Sequence, residues 1–364
     1  MTAIPTASKA PLLFEALPGL ERRFPWISLV EGPTPVQLLE RLSARVGGEI
    51  WVKRDDQTSP VYGGNKPRKL EFLLAHALSA GAHTLVTAGG LGTNHGLATA
   101  IFGGKLGFHV VLGLFDQPVT EHVRRSLLLY HSFGAEMMHL GSKLRGMLQL
   151  GILERIRRPQ ACFIPLGGSS PVGCLGFVNA GLELARQIER GHLPRPASIF
   201  VAVGSCGTMA GLVLGLKLAG VPVPVVGVQV APRIVVNPRA VLRLARRTQR
   251  LLDGGADNAA GGSLCLRDFP VETHHYGSGY GHPTAAGRSA ASLLAQTEGI
   301  PLEPTYTAKT FAAVLARAGQ KRGSGPVLFW NTFNSVDLSS KAQLVDPFSL
   351  PKAFHRFFAC RPHE

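Results

Sequence analysis

The chain has 364 residues, of which 45% are hydrophobic and 17% are charged. This composition is typical of a folded globular protein and excludes an intrinsically disordered chain, and the length predicts two domains or one domain with a large insertion. The net charge of +15 favours an anionic ligand, either a nucleic acid or an anionic substrate or cofactor, but no nucleic-acid-binding motif accompanies it.

The basic residues are spread along the chain except for a denser run between Arg233 and Arg250, which we interpret as the solvated face of a helix. The five cysteines have no C-x-x-C spacing, so neither a disulfide framework nor a zinc site is predicted. The first 24 residues contain several prolines and charges, and no apolar run reaches the ~18 residues that a membrane span needs. We therefore expect a cytoplasmic protein that binds neither nucleic acid nor a membrane.

Helices and strands alternate along most of the chain. The helices are predicted at 36–45, 67–80, 97–106, 120–133, 144–156, 175–190 and 209–219, and the strands at 50–54, 84–88, 109–113, 135–140, 162–168, 197–203, 223–230 and 327–330. A largely helical stretch with a glycine-rich interruption is predicted between 235 and 298. Because strands that alternate with helices form parallel sheets with helical crossovers, the pattern predicts an α/β fold.

One loop-to-helix transition places a lysine where its amine would be reactive. Gly63 and Gly64 permit a sharp turn, Asn65 is a good N-cap, and apolar residues at helical spacing follow Pro67. Lys66 would then lie at the positive end of the helix dipole, which lowers the pKa of its ammonium group and favours a neutral, nucleophilic amine. A solvent-facing lysine in a glycine turn is the alternative interpretation of this segment alone.

Two further loops follow predicted strands and precede predicted helices. The segment Gly204-Ser-Cys-Gly-Thr208 offers backbone N–H groups and two hydroxyls to an anion such as a phosphate, although it lacks the lysine of a P-loop. The segment Gly89-Gly-Leu-Gly-Thr-Asn-His95 begins like a dinucleotide fingerprint, but a histidine replaces the third glycine, so a nicotinamide site is not predicted. Small and polar turn residues alone would also explain both loops.

The polar residues in the last third of the chain are weaker candidates. His274, His275 and Cys265 do not have a metal-ligand spacing, so no metal site is predicted. Tyrosines in glycine or proline turns commonly pack with only the hydroxyl reaching a polar partner, so such residues decide nothing individually. The other candidates are Tyr280, His282, Tyr306 and Thr332.

Six segments in order carry a family resemblance. They are Gly63-Gly-Asn-Lys-Pro-Arg-Lys-Leu-Glu71, Gly89-Gly-Leu-Gly-Thr-Asn-His95, Ile164-Pro-Leu-Gly-Gly-Ser-Ser-Pro-Val-Gly173 with Gly176-Phe-Val-Asn179, Gly204-Ser-Cys-Gly-Thr-Met-Ala-Gly-Leu212, Gly279-Tyr-Gly-His-Pro283 and Glu298-Gly-Ile-Pro-Leu-Glu-Pro-Thr-Tyr-Thr-Ala-Lys309. Together they resemble the D-cysteine desulfhydrase and 1-aminocyclopropane-1-carboxylate deaminase family of pyridoxal-phosphate enzymes. The similarity runs from about residue 16 to residue 335, which makes it far more specific than any single motif.

The resemblance implies the tryptophan-synthase-β-like fold, fold type II of the pyridoxal-phosphate enzymes, with two open, twisted parallel-sheet domains. The smaller domain would span 68–177, and the larger would combine 1–67 with 178–364. Pyridoxal 5'-phosphate would bind between the two domains. The protein would form a homodimer and act on a small amino acid.

The resemblance also implies which residues hold the cofactor. Lys66 would bind its aldehyde covalently, Asn94 would bond the ring hydroxyl, and Thr332 would face the pyridine nitrogen. Because a neutral hydroxyl stabilises a full pyridinium less well than a carboxylate does, we expect elimination of a good leaving group rather than chemistry that needs a long-lived carbanion. The phosphate would be held by Gly204, Ser205, Cys206, Gly207 and Thr208.

The implied reaction is an α,β-elimination that converts D-cysteine to pyruvate, ammonia and sulfide. Lys66 would remove the α-proton, Tyr280 and Tyr306 would be acid–base or polarising phenols, and Thr93 would contact the substrate carboxylate or shuttle a proton. Thr307 stands where the cyclopropane-opening deaminases resemble a Tyr-Glu-x-Lys motif, so the chain is more similar to the desulfhydrases.

Several positions depart from the family pattern. Thr93 replaces the usual serine, and Leu97 replaces a common arginine. Cys206 replaces a glycine and adds a candidate redox-sensitive thiol, and Phe333-Asn334 replaces a pair of glycines. These changes keep three alternatives open, namely 1-aminocyclopropane-1-carboxylate deamination, a cofactor-binding homologue with regulatory rather than catalytic work, and, because of the charge, nucleic-acid binding.

Overall fold

The computed structural model describes residues 10–142, 146, 160–254, 260–320 and 325–359. Within these ranges the chain forms ten strands, which make up two sheets. The strands are β1 (Val36–Leu38), β2 (Ile50–Lys53), β3 (Thr84–Gly90), β4 (His109–Phe115), β5 (Glu136–Gly141), β6 (Ala161–Phe163), β7 (Ser198–Val203), β8 (Val225–Gln229), β9 (Val271–Glu272) and β10 (Val327–Trp330).

The same ranges contain twelve α-helices. They are α1 (Leu12–Ala16), α2 (Glu40–Val46), α3 (Lys66–Ser79), α4 (Asn94–Lys105), α5 (Glu121–Ser132), α6 (Pro171–Glu189), α7 (Gly207–Leu218), α8 (Pro238–Asp253), α9 (Ala285–Glu298), α10 (Thr307–Gln320), α11 (Ser339–Gln343) and α12 (Lys352–Ala359). Five of them begin after a residue whose side chain accepts a hydrogen bond from the N–H three positions later, which satisfies a donor that the helix leaves unpaired. The capping residues are Thr93, Thr120, Ser170, Asn237 and Thr284.

The two sheets are built mainly from parallel strands. The larger has the order β1-β2-β10-β7-β8-β9, and only its β1–β2 pair is antiparallel. The smaller has the order β5-β4-β3-β6, and all its pairs are parallel. Helices connect successive parallel strands, as such pairing requires. The predicted α/β fold with two parallel-sheet units is therefore confirmed.

Strand β10 shows how the larger sheet is buried on both faces. Leu328 and Trp330 point into one apolar cluster, while Val327 and Phe329 point into another. All four side chains are buried, because successive residues of a strand face opposite sides and both sides are covered by helices. The strand therefore reads as a continuous apolar run rather than an alternating one.

Two predictions of individual elements were wrong. The helix predicted at 36–45 is β1 followed by α2, because Val36 to Leu38 pair with β2 and the neighbouring strand stabilises an extended backbone. The stretch 235–298 is not largely helical, since β9 and irregular backbone separate α8 from α9. Helix α10 was not predicted, and the predicted helix 144–156 lies outside the described residues except for residue 146.

The last two described helices pack against the smaller sheet. Ala342 and Phe354 belong to the same apolar cluster as Leu112 of β4, and Arg124 Nε donates to the carbonyl oxygen of Phe357 at 2.9 Å. The division of the chain into 68–177 and the remainder stays a prediction. No helix in the described ranges is both long enough and apolar enough to cross a membrane.

Candidate active site

A cavity of about 480 Å³ lies at the carboxyl ends of strands from both sheets. This is the usual place for a ligand in open parallel sheets. The predicted site residues that line it are Lys66, Thr93, Asn94, Gly204, Ser205, Cys206, Thr208, Tyr280, Tyr306 and Thr332. Gly207 lies directly behind the wall, where its N–H donates to Ser169 Oγ at 3.3 Å. The structure thus brings the predicted residues to one place, while their individual roles stay predictions.

Lys66 is the first residue of α3 and its side chain faces the cavity. Among the described residues, no hydrogen bond or ion pair to its amine is found. Burial lowers the pKa of Lys66 well below its usual value, and the nearby ammonium of Lys69 lowers it further against the attraction of Glu303. The helix dipole was the expected cause, but burial is the main one. A neutral amine in this position is a nucleophile and a base.

The turn from β7 to α7 forms a polar pocket at the start of a helix. The N–H groups of the first turn of a helix have no partners within the helix, so they attract an anion. Two hydroxyls of this pocket are in contact, since Ser169 Oγ lies 2.7 Å from Ser205 Oγ. A third, Thr208 Oγ1, accepts a hydrogen bond from Asn65 Nδ2 at 3.1 Å. The pocket suits a phosphate group.

Cys206 occupies this turn in the left-handed backbone conformation, with φ of 68°. Glycine adopts this conformation without strain, whereas a residue with a Cβ does not. The thiol donates to the carbonyl oxygen of Val235 at 3.5 Å. Burial raises the pKa of Cys206 to about 11, so the thiol stays protonated at neutral pH and lacks the thiolate that oxidation needs. A redox-sensitive thiol at this position is therefore not supported.

Lys69 is a site residue that the sequence argument missed. It is buried, and its Nζ donates to the carbonyl oxygen of Gly167 and to Ser169 Oγ, both at 3.1 Å. A Cβ at position 207 would lie 3.0 Å from this Nζ, so the ammonium borders the polar pocket. Burial lowers the pKa of Lys69 to about 8. Its spacing of three residues from Lys66 on one helix was the available signal, because such residues share a face.

The loop between β3 and α4 contributes Thr93 and Asn94. Thr93 Oγ1 accepts a hydrogen bond from the N–H of Gly96 at 3.3 Å and so caps α4. A Cβ at position 89 would lie 2.6 Å from the Thr93 side chain, which explains the glycine there. Asn94 Oδ1 accepts from the hydroxyl of Tyr62 at 3.5 Å. Thr93 therefore has a structural role in addition to any contact with a ligand.

His95 is buried beside Lys66 at the cavity wall. Within the described part of the chain, neither of its ring nitrogens has a hydrogen-bond partner. Burial, together with the charges of Lys66 and Lys69, lowers the pKa of His95 well below its usual value, so the ring is neutral. Buried polar groups in folded proteins are normally paired. This unpaired imidazole indicates that a ligand occupies the cavity.

Tyr280 and Tyr306 form a pair on the opposite wall. Their hydroxyl oxygens lie 2.5 Å apart, and their rings meet edge to face with centroids 6.0 Å apart. Burial raises the pKa of both phenols, and that of Tyr306 lies well above 10. Both are therefore neutral at physiological pH. Because one hydroxyl donates to the other, the second retains a proton that it can give to a ligand.

Glu303 is a second site residue that the sequence argument missed. Its buried carboxylate accepts hydrogen bonds from the N–H groups of Thr305, Tyr306 and Thr307 at 2.6 to 2.8 Å. It thereby caps α10 and fixes the backbone of Tyr306. Burial raises the pKa of Glu303, while these backbone bonds oppose the rise. An acidic residue just before a helix is the signal for such a cap, but α10 itself was not predicted.

The loop after β10 packs against the glycines that precede Lys66. The carbonyl oxygen of Thr332 accepts from the N–H of Asn65 at 3.2 Å, and Asn334 Oδ1 accepts from the N–H of Gly63 at 2.6 Å. At Gly64, φ is 88° and a Cβ would lie 2.7 Å from the Thr332 carbonyl oxygen. Close approach of two backbones therefore requires glycine here and sets Thr332 below Lys66.

The paired histidines do not belong to this site. The Nδ1 atoms of His274 and His275 contact Glu272 at 2.9 and 3.0 Å, and neither ring lines the cavity. Cys265 Sγ contacts Asp268 at 3.4 Å.

The comparison with known protein families decides what the cavity holds. The family described as "Pyridoxal-phosphate dependent enzyme" matches residues 27–332. The chain belongs to this family. D-cysteine desulfhydrases of Salmonella newport (strain SL254) and Salmonella paratyphi A are each 38% identical to it, with 85% of this chain and 94% of each relative covered. A solved structure described as an ACC deaminase homologue has a TM-score of 0.75 and 29% identity, covering 92% of this chain and 99% of that one.

The residues around the cavity fit pyridoxal phosphate. Lys66 offers an amine for its aldehyde, and the polar pocket with Lys69 suits its phosphate. His95 and Asn94 offer polar atoms to the groups on its ring, and the unpaired state of the imidazole is the observation that fits best. The pyridoxal-phosphate enzyme thus has its polar groups placed on three sides of one cavity.

Proposed function

We propose that this pyridoxal-phosphate enzyme is a lyase that removes the thiol group of D-cysteine by α,β-elimination and yields pyruvate, ammonia and sulfide. The observation that carries the proposal is an unpaired amine of lowered pKa, Lys66, in the same cavity as the neutral Tyr280–Tyr306 pair. The similarity to D-cysteine desulfhydrases over most of the chain supports the choice of substrate.

Lys66 has the properties of the base that accepts the α-proton of the substrate. When bound, pyridoxal phosphate withdraws electrons from the α-carbon and stabilises the negative charge that develops there. The lowered pKa of Lys66 keeps a fraction of its amine deprotonated at neutral pH, as a base requires. Thr93 and Asn94 begin α4 next to this amine, where the N-terminus of the helix favours the substrate carboxylate.

The tyrosine pair has the properties of the acid that assists departure of the sulfur. The pKa of both phenols is raised, so each carries its proton at neutral pH. The hydroxyl that does not donate within the pair can protonate the leaving thiolate, and the carbon–sulfur bond then breaks with release of a thiol. Water completes the reaction by hydrolysing the remaining carbon–nitrogen double bond, which gives pyruvate and ammonia.

Thr332 favours elimination over reactions that need a long-lived carbanion. It is neutral and lies in the wall of the cavity on the side of Lys66. A hydroxyl that holds the pyridine nitrogen leaves the ring less electron-withdrawing than a carboxylate would. A substrate whose β-substituent leaves easily, such as a thiolate, suits this arrangement.

A deaminase of 1-aminocyclopropane-1-carboxylate is the second candidate, because the ACC deaminase homologue has a similar structure. Against it, the residue after Tyr306 is Thr307, whose Oγ1 accepts from the N–H of Glu303 at 3.0 Å and which offers no carboxylate. Sulfide and pyruvate release from D- and L-cysteine, measured beside 2-ketobutyrate release from the cyclopropane substrate, separates the two. Release of 2-ketobutyrate alone, or no turnover of either substrate, would overturn the proposal.

We also propose a cytoplasmic homodimer that binds no nucleic acid. The family resemblance supports the dimer, and the exposed arginines of α8, which lack interleaved aromatic residues, fit a solvated helix face. Light scattering of the purified protein tests the dimer, and retention on DNA at low and high salt tests the second expectation.

A further inference from the structure

A buried lysine, Lys309, lies near the start of α10 and outside the cavity. Its side chain is fully buried, and its Nζ donates to the carbonyl oxygens of Tyr276 and Gly279 at 2.8 and 3.1 Å. The same Nζ lies 5.4 Å from the centroid of the Tyr276 ring. In the described ranges, no carboxylate forms an ion pair with it. Carbonyl dipoles and one aromatic face therefore compensate a buried charge, which is an unusual arrangement for a purely structural lysine.

Both carbonyls belong to the short loop that carries Tyr280. This loop, residues 276–281, contains three glycines, and two of them, Gly277 and Gly281, have φ of 71° and 81°. Glycines give a loop many accessible conformations, so holding such a loop in one of them has a large entropic cost. Its backbone hydrogen bonds to neighbouring loop residues are long, at 3.3 to 3.4 Å. The bonds from Lys309 are shorter and span the loop on both sides of its exposed tip.

Helix α10 thus holds both members of the tyrosine pair. Tyr306 precedes the helix directly, and its N–H donates to Glu303, the residue that caps the helix, at 2.6 Å. Tyr280 belongs to the loop that Lys309 binds, and its hydroxyl meets that of Tyr306 at 2.5 Å. A shift of about 1 Å in either hydroxyl would break this contact. The distance between the two hydroxyls therefore depends on how firmly Lys309 holds the loop.

We propose that Lys309 is a positioning residue, which fixes the 276–281 loop so that the Tyr280 hydroxyl stays opposite Tyr306. The proposal rests on the proposed function insofar as the tyrosine pair acts on the substrate. An ammonium suits the task because it has three donors on a flexible stem and can reach two carbonyls at once. Methionine has a similar length and no donor, so Lys309→Met removes the two hydrogen bonds with little change of volume.

The test is a double-mutant cycle in the holoenzyme with Tyr280→Phe, which removes only the hydroxyl. We expect Lys309→Met to lower kcat for sulfide release from D-cysteine by about 10²-fold, with a change in KM of less than about threefold, since a misplaced catalytic group affects the chemical step. In the Tyr280→Phe background the same substitution should cost less than about threefold. An equal loss in both backgrounds would overturn the proposal, because Lys309 would then act independently of Tyr280.

A second measurement does not depend on the substrate. We expect amide hydrogen exchange in the 276–281 loop of the holoenzyme to accelerate by at least about tenfold in Lys309→Met, while exchange within β7 stays unchanged. Unchanged exchange in the loop would overturn the proposal even if the enzyme acts on another substrate. If wild-type protein releases no sulfide but its loop responds as expected, the proposed function fails and the positioning role stands. If Lys309→Met does not fold, Lys309→Gln, which retains amide donors on a shorter stem, is subjected to the same two measurements.

Discussion

Lys66 and Arg68 lie two residues apart on α3, and they show two opposite uses of a buried cation. Lys66 faces the cavity without a partner among the described residues, and burial lowers its pKa. Arg68 faces the other side of the helix, where it binds Asp55 at 2.7 Å and Glu183 at 3.0 Å. Burial alone would lower the pKa of Arg68, but the two carboxylates raise it above its usual value. Burial on one helix therefore produces a reactive amine or a permanent charge, depending on the partners.

The paired side of the helix holds the unpaired side in place. Around Arg68, Thr34 Oγ1 and Trp330 Nε1 both donate to Asp55, at 2.8 and 2.7 Å. Lys53 Nζ donates to Glu183 Oε1 at 2.5 Å. This network ties α3 to α6, β2 and β10, so the helix that carries Lys66 has little freedom to move. A rigid support of this kind keeps a reactive group in position.

Removal of the unpaired amine should have the largest effect. Lys66→Ala is expected to lower the rate of sulfide release by roughly 10⁴-fold, because the substitution removes both the base and the attachment point of the cofactor. The midpoint of urea unfolding of the cofactor-free protein should stay the same, since Lys66 has no partner to lose. A variant that retains more than a tenth of the wild-type rate would contradict the assignment.

Removal of a paired charge should reverse this pattern. Glu183→Gln leaves Lys53 and Arg68 with one fewer carboxylate, and the uncompensated buried charge should lower the free energy of unfolding by about 3–5 kcal/mol. Turnover per folded molecule should change by less than about threefold. Urea denaturation of the variant beside Lys66→Ala measures both effects. Equal destabilisation by the two substitutions would show that the two sides of α3 do not differ in the proposed way.

Acidification should weaken the paired side selectively. Burial alone would raise the pKa of Glu183, but Arg68 and Lys53 lower it to about 2 from 4.5. We assign the larger share to Arg68, because burial lowers the pKa of Lys53 despite this contact. A carboxylate with a lowered pKa stabilises the fold above pH 4.5, and this stability is lost as pH falls toward 2. The loss amounts to at most about 3 kcal/mol.

Urea denaturation between pH 6 and pH 2.5 measures this acid dependence. The wild-type protein should lose more stability over this interval than Glu183→Gln, in which the titrating group is absent. Parallel curves for the two proteins would show that Glu183 does not titrate with a lowered pKa.

The smallest effect concerns the turn next to the polar pocket. Cys206→Gly should change the free energy of unfolding by less than about 1 kcal/mol, in the direction of greater stability. Relief of the left-handed conformation at φ of 68° outweighs the greater flexibility of glycine in the unfolded chain. Thermal unfolding of the variant measures the change, and a clear loss of stability would show that the thiol contributes packing that outweighs the strain.

The sequence predicted the parts of the fold and site that depend on neighbouring residues. The alternation of strands and helices predicts the parallel sheets, and the glycines before Lys66 predict the turn into α3. The loops after β3 and β7 are recognisable because turn chemistry is local. Strand β1 was missed, since its extended backbone depends on pairing with β2. Local patterns reach as far as one element and its ends.

Residues whose roles depend on distant partners could not be predicted. Arg68 meets Glu183 across 115 positions of the chain, and Lys69 meets Ser169 across 100. Glu303 and Lys309 act on α10 and on the loop beside it, and neither role is visible until α10 itself is known. The signal for each is a charged residue in a buried place, which only the packing of the chain reveals.

The most direct test of the central claim is to identify the lysine that binds the cofactor. Lys53, Lys66 and Lys69 are all partly or fully buried within one stretch of 17 residues, from 53 to 69, so the choice among them is a sharp one. Borohydride reduction of the holoenzyme fixes the covalent link to the cofactor, and peptide mass mapping then locates it. We expect the modification at Lys66 alone, together with loss of the visible absorbance of the cofactor link. Modification at Lys53 or Lys69, or at no lysine of a fully loaded protein, would contradict the account.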